Sequence, residues 1–175
     1  MLDESVFRGG RLSVVGNICR DVKTALIAPT DRLLQDGETP AETIIETMGG
    51  GGANSALFAA ALGAEVRFAG KLGADALGER LKQALLDRGV KPLVRHDAAT
   101  PTGSSVVLSY TSGCRHFISH QPNNTTLSDS DIDRALFADG GHLLRADVWF
   151  SQPLLDGGNA QILRAARDQG MTISL

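Results

Sequence analysis

An α/β fold in one domain is the class this sequence predicts, and three observations lead there. Short β-branched runs closed by glycine alternate with segments whose apolar residues recur at helical spacing. Four consecutive glycines, Gly49 to Gly52, open directly into an alanine-rich stretch. Two excursions of β character interrupt the alternation. With 175 residues, 42% hydrophobic and 21% charged, the chain is long enough for one real core, and a single domain is expected.

The elements follow in order. Arg11 to Gly16 (RLSVVG) reads as a strand buried on both faces, ending at Asn17 to Asp21. Between Val22 and Met48 the pattern weakens: TALIAP and ETIIETM are strand-like, DRLLQDGETP supplies turn signals, and no helix long enough to cross a parallel sheet fits. The glycine run then leads into a helix from Ala53 to Leu62, with Gly63 as its left-handed cap. Small residues on several of its faces point to close packing on a sheet. Glu65 to Gly70 is the next strand. Asp75 is a plausible N-cap for a helix from Ala76 to Arg88, in which Leu77, Leu81 and Leu85 share a face before Gly89. Ser104 to Tyr110 and Arg115 to His120 flank Thr111, Ser112 and Gly113, a hairpin signature and the second β excursion. The α/β rhythm returns with a short helix near Asp131 to Phe137, a strand Ala146 to Ser151, a helix from about Gly158 to Gln169 and a final strand Met171 to Leu175. That last strand coincides with the end of the sequence, beyond which a ligand-bearing loop is expected in an open α/β sheet, so the chain reads as part of a longer protein.

Composition narrows the function classes. A net charge of -3, with both signs interspersed, offers no concentrated field for nucleic acid. The first residues lack a secretory pattern, and the longest apolar run, Ala56 to Leu62, is far short of the ~20 residues a membrane helix needs, so a cytoplasmic protein is expected. Cys19 and Cys114, far apart in the chain, read as buried small hydrophobes, without a disulfide or metal. His116 and His120 fall on one strand face, but a rise of about 3.3 Å per residue holds them too far apart to share a metal easily. Lys71 and Asp75 read as a solvated charge and an N-cap.

The glycine run carries the chemistry. Four glycines before a helix imply a close backbone approach or positive φ angles, next to helix amides that favour an anion. However, GGGGANS lacks the Gly-Lys-Ser/Thr ending of a P-loop and does not follow the first strand as a dinucleotide fingerprint does. A polyhydroxylated ligand fits better, since hydroxyls need donors and acceptors together: amides around Gly49, Gly50 and Gly51, the side-chain amide of Asn54, and the carboxylate of Asp21 beyond the first strand. Read singly, Asp21 is better taken as a turn-former and Asn54 as a helix-start residue.

Together these pieces resemble a family. The run MGGGGANSALFAAALGAEVRFAGKLGADALGERLKQALLDRGV is similar to the amino-terminal signature of ribokinase-like (PfkB) carbohydrate kinases, with Gly-Gly-x-Gly-x-Asn, an alanine-rich helix ending in Leu-Gly-Ala, and Gly-x-x-Gly-x-Asp-x-x-Gly. GNICRDV resembles the end of that family's first strand, while GETP, TPTGSSVVL and HQPNN fall at its lid segments, so the likeness spans residues 11 to 175. The resemblance implies an αβα sandwich, here partial, with a small β-sheet lid from segments 22–48 and 99–120. It implies ATP- and Mg²⁺-dependent phosphorylation of a primary hydroxyl of a sugar or sugar acid. By position, Asp21, Gly49, Gly50, Gly51, Asn54, Phe117 and Asn124 become its sugar-binding candidates, and lid pairing into a homodimer is a further implication. The family's Gly-Ala-Gly-Asp segment, with its catalytic aspartate and ATP pocket, is expected beyond Leu175. Gly51 stands where many members carry lysine, and Ser151, Gln152 and Pro153 where several carry glutamate, which leaves the sugar open. A nucleoside kinase of the same fold and a non-catalytic sugar-binding protein are the competing readings.

Overall fold

A computed structural model describes residues 9–28 and 36–175. The chain runs through Arg11–Val15 (β1), Cys19–Thr24 (β2), Ile44–Gly49 (β3), the helix Gly51–Ala61 (α1), Glu65–Ala69 (β4), Lys71–Gly73 (β5) and the helix Ala76–Leu86 (α2). It continues through Val90–Pro92 (β6), Arg95–Asp97 (β7), Ser104–Ser109 (β8), Arg115–His120 (β9) and the single turn Pro122–Thr125 (α3). His142–Arg145 (β10), Asn159–Asp168 (α4) and Thr172–Ser174 (β11) complete it. Part of the turn-rich segment expected at DRLLQDGETP lies outside the described residues.

Five strands form a parallel sheet in the order β11-β10-β1-β4-β6. Side chains alternate across a strand, so successive residues of β1 feed opposite cores. Val14 packs with Ala53, Ala56, Phe68, Leu81 and Leu85 beneath α1 and α2, whereas Val15 packs with Leu136, Leu143, Leu154 and Ile162 beneath α4. This is the expected αβα sandwich. Alanine and glycine let α1 lie almost on the sheet: a Cβ on Gly52 would stand 2.6 Å from the Gly16 Cα. Gly63 and Gly89, with φ of 90° and 78°, follow α1 and α2 as the left-handed residues expected there.

Four other strands form the lid, ordered β3-β2-β8-β9. The lid begins at Cys19, three residues before the expected boundary, because β2 pairs with β3 all the way back to Cys19 opposite Gly49. Four chain crossings join it to the core, and a pair of fully buried asparagines ties three of them together. Asn124 accepts from the Ile18 amide at 3.1 Å and donates to the Ile18 carbonyl, while Asn123 donates to the carbonyls of Ile18 and Lys71. Gly103 enters the lid so close to Asn123 that any side chain there would collide with the Asn123 amide oxygen.

Several expectations are corrected. The strand placed at Ala146 to Ser151 is instead His142–Arg145: Asp139, Gly140 and Gly141, all at positive φ, turn the chain into the sheet earlier, and Leu143 fills the core. Val148 to Phe150 then form a turn with Trp149 71% exposed, so their β propensity yields to the register already taken by HLLR. The helix expected at Asp131 to Phe137 is two 3₁₀ turns, Asp129–Asp131 and Arg134–Phe137, because Ser128 and Asp133 each cap a fresh start. Lys71 is buried, not solvated, and pairs with Asp131 at 3.1 Å and Asp97 at 3.4 Å. The short strands β5, β6 and β7 carry too few residues to show a period. Among the described residues no helix is long and apolar enough to cross a membrane.

Candidate sugar-binding site

β2 begins immediately after the carboxyl end of β1, which carries its residues from the buried sheet into the lid. Alternation then puts Cys19, Asp21 and Lys23 on one lid face. Their cross-strand partners, Ser105 opposite Asp21 and Val107 opposite Lys23, extend that face to β8, and Ser119 and Phe117 extend it to β9. Opposite them stands the amino end of α1. Between the two lies a cavity of about 370 Å³, bordered by Asp21, Gly50, Gly51, Asn54 and Phe117 among the expected residues. That size is at the small end of the range for small-molecule pockets.

Asp21 is held by its neighbours. Its carboxylate accepts from the Cys19 thiol at 3.6 Å and faces the Lys23 ammonium at 3.6 Å. Gly49 lies so close that a Cβ there would strike the Asp21 carboxylate, so this glycine shapes the site from behind the cavity. Burial pushes the Cys19 thiol up to about 12, and the negative charge of Asp21 acts in the same direction. Gly50 adopts φ 95°, a conformation L side chains rarely take, and this lets β3 turn directly into α1.

The helix start differs from expectation in one respect. Its amides are largely engaged: Gly52 donates to Asp147 Oδ2 at 2.8 Å, Ala53 to the Asn17 carbonyl and Asn54 to the Gly50 carbonyl. Asp147, following β10, also accepts from the Asn17 amide at 3.0 Å. The positive end of the helix is therefore matched by a carboxylate of this chain. Asn54 borders the cavity from the first turn of α1.

Asn124 is a second correction. It does not border the cavity; its amide is spent on Ile18 and on Gln121, to whose Oε1 it donates at 2.9 Å. Gln121 borders the cavity in its place and donates to Ser105 Oγ at 2.7 Å. Lys23, Ser105, Arg115 and Gln121 are cavity residues that sequence reasoning missed. Period-two spacing from Asp21 finds Lys23, and the same spacing from Phe117 finds Arg115; Ser105 and Gln121 need the strand register. A larger hollow of about 440 Å³ between β3 and α2, lined by residues such as Leu57, Leu77, Arg80 and Arg88, has neither Asp21 nor Asn54 on its wall.

The profile of the pfkB family carbohydrate kinases matches residues 11–175. A ribokinase of Arabidopsis thaliana is 30% identical over 173 residues, covering 94% of this chain and 43% of the relative. Among solved structures, a PfkB protein from Polaromonas sp. JS666 superposes with a TM-score of 0.76 at 21% identity, covering 94% of this chain and 54% of that one. A fructokinase from Xylella fastidiosa with bound ATP gives a TM-score of 0.73 at 21% identity, covering 94% and 50%. The chain thus spans about half the length of these proteins.

Proposed function

The chain belongs to the pfkB family of carbohydrate kinases, and from that premise we propose that it forms the sugar-gripping part of a kinase that phosphorylates a primary hydroxyl of a sugar or sugar acid with ATP. The observation that carries the reading is the meeting of Asp21, Gly50, Gly51 and Asn54 around one cavity beneath a β lid. A carboxylate accepts from two adjacent hydroxyls, while an amide and nearby backbone groups donate and accept at others, and such a set suits a polyol. Gly49 acts from behind, by admitting the Asp21 carboxylate to its place.

Phosphoryl transfer needs an oriented hydroxyl, a base and charge stabilisation. These residues supply the first. The lid excludes water from the hydroxyl and so favours transfer to sugar over hydrolysis. ATP use is supported by the bound nucleotide of the fructokinase relative. Among the described residues there is no group of three or more His, Cys, Asp or Glu that could hold a metal ion. The base, nucleotide and Mg²⁺ sites are proposed for residues outside 1–175. Among the described residues Phe117 is the one aromatic side chain that borders the cavity, which favours a sugar over a nucleoside base needing an apolar slot.

Titration calorimetry of the chain with fructose, ribose, 2-keto-3-deoxygluconate and adenosine tests the reading. The expected outcome is binding of at least one sugar or sugar acid, weakened roughly tenfold to a hundredfold in Asp21→Ala by loss of ~1.5–3 kcal/mol of charged hydrogen bonding. Binding of adenosine alone, or sugar binding indifferent to Asp21→Ala, would overturn it.

A further inference from the structure

The register of the lid arranges its cavity face in rows. Nearest the core is Cys19, next come Asp21 and Ser105, and one row further out are Lys23, Val107 and Phe117. Arg115, opposite Ser109, lies one row beyond that. Rows on one face are two residues apart, or about 6.6 Å along a strand. The cavity wall therefore changes character with distance: hydroxyl-binding groups near the core, and cations at the outer lid. Lys23 and Arg115 both border the cavity. Arg115 is held over the Phe117 ring, 5.8 Å from its centroid, on this same face. Among the described residues it has no carboxylate within ion-pair distance, and the one carboxylate near Lys23 is Asp21.

Charge counting gives the consequence. The cavity border holds one carboxylate, Asp21, against two cations, Lys23 and Arg115. A neutral sugar that engages Asp21 through its hydroxyls competes for the one counter-charge of Lys23 and leaves Arg115 with none, which is unfavourable as the cavity loses water. A sugar whose anionic group lies between the Lys23 row and the Arg115 row beyond it supplies that charge. Resting on the sugar-site reading, we propose that the substrate is an anionic sugar, carrying a carboxylate or a phosphate away from its reacting hydroxyl, and that Lys23 and Arg115 are the specificity-determining residues that receive this group.

The test measures binding without nucleotide, so that cations serving only the γ-phosphoryl of ATP contribute nothing. Fructose and ribose are the neutral probes, 2-keto-3-deoxygluconate the carboxylate probe and fructose 1-phosphate the phosphate probe. At low salt at least one anionic probe is expected to bind about tenfold or more tighter than either neutral sugar, with a preference that shrinks as ionic strength rises. Whichever anionic arm responds identifies the group. Lys23→Gln and Arg115→Gln are each expected to reduce the anionic-to-neutral affinity ratio several-fold, a quantity that general loss of folding does not move. Neutral sugars binding as tightly as both anionic probes, with sensitivity to Asp21→Ala retained, overturn this proposal and leave the sugar site standing. Absence of binding by every sugar overturns both.

Discussion

Cys19 and Asp21 share a face of β2, and this decides which thiol reacts. Burial and the adjacent carboxylate push the Cys19 thiol up to about 12, whereas Cys114 is exposed in the hairpin turn. Iodoacetamide at neutral pH is therefore expected to label Cys114 and to leave Cys19 intact until the protein is unfolded, as read by peptide mass spectrometry. Asp75 is a second residue with a defined outcome. Burial alone would raise its carboxyl, but hydrogen bonds from the Thr102 amide, the Gly78 amide and the Thr102 hydroxyl outweigh it and hold the group below its ordinary 3.8. A lowered carboxyl contributes stability above its ordinary value and loses it as pH falls through the folded one. Asp75→Ala is thus expected to cost about 1–2 kcal/mol at pH 7 as a lost helix cap, and urea midpoints of variant and parent should converge as pH falls below the ordinary carboxylate range. Asp75 was legible as a cap from its place before an amphipathic run. The structural task of Asn124 is not legible in the same way, because its partners, Ile18 and Gln121, are supplied by the fold.

At the scale of elements, α1 shows why small residues were so informative. Gly16 and Gly52 meet backbone to backbone, so Gly52→Ala is expected to destabilise by ~1–3 kcal/mol through overpacking, measurable in urea titrations. The junction of lid and core is equally specific: Asn124→Ala removes the acceptor of the Ile18 amide, whose hydrogen exchange should accelerate relative to β1. Long periodic segments such as α2 and α4, and the hairpin of β8 and β9, could be read because each carries its own repeat. β5, β6 and β7 could not, since three residues each hold no period. ADVWFS illustrates a different limit. Its β propensity is real, but the turn at Asp139 to Gly141 commits the preceding HLLR to the sheet first.

For the molecule as a whole, the lid presents two unlike faces. The face turned from the cavity leaves Ile44, Val106 and Ile118 exposed. Pairing of two lids through that face is the proposed assembly, and sedimentation velocity should report a dimer that Ile118→Lys disperses; a monomer at all concentrations counts against it. The α/β class was legible from alternation alone, whereas the αβα layering and the joining of two β stretches, separated by α1 and α2, into one lid sheet were legible only through the family resemblance. The narrow waist between lid and core, pinned by Asn123 and Asn124, has a practical consequence for protein engineers. The chain passes it near Ile18, Gly50, Gly103 and Gln121, so a foreign lid can be grafted as a cassette with four splice points while the underlying scaffold is kept intact.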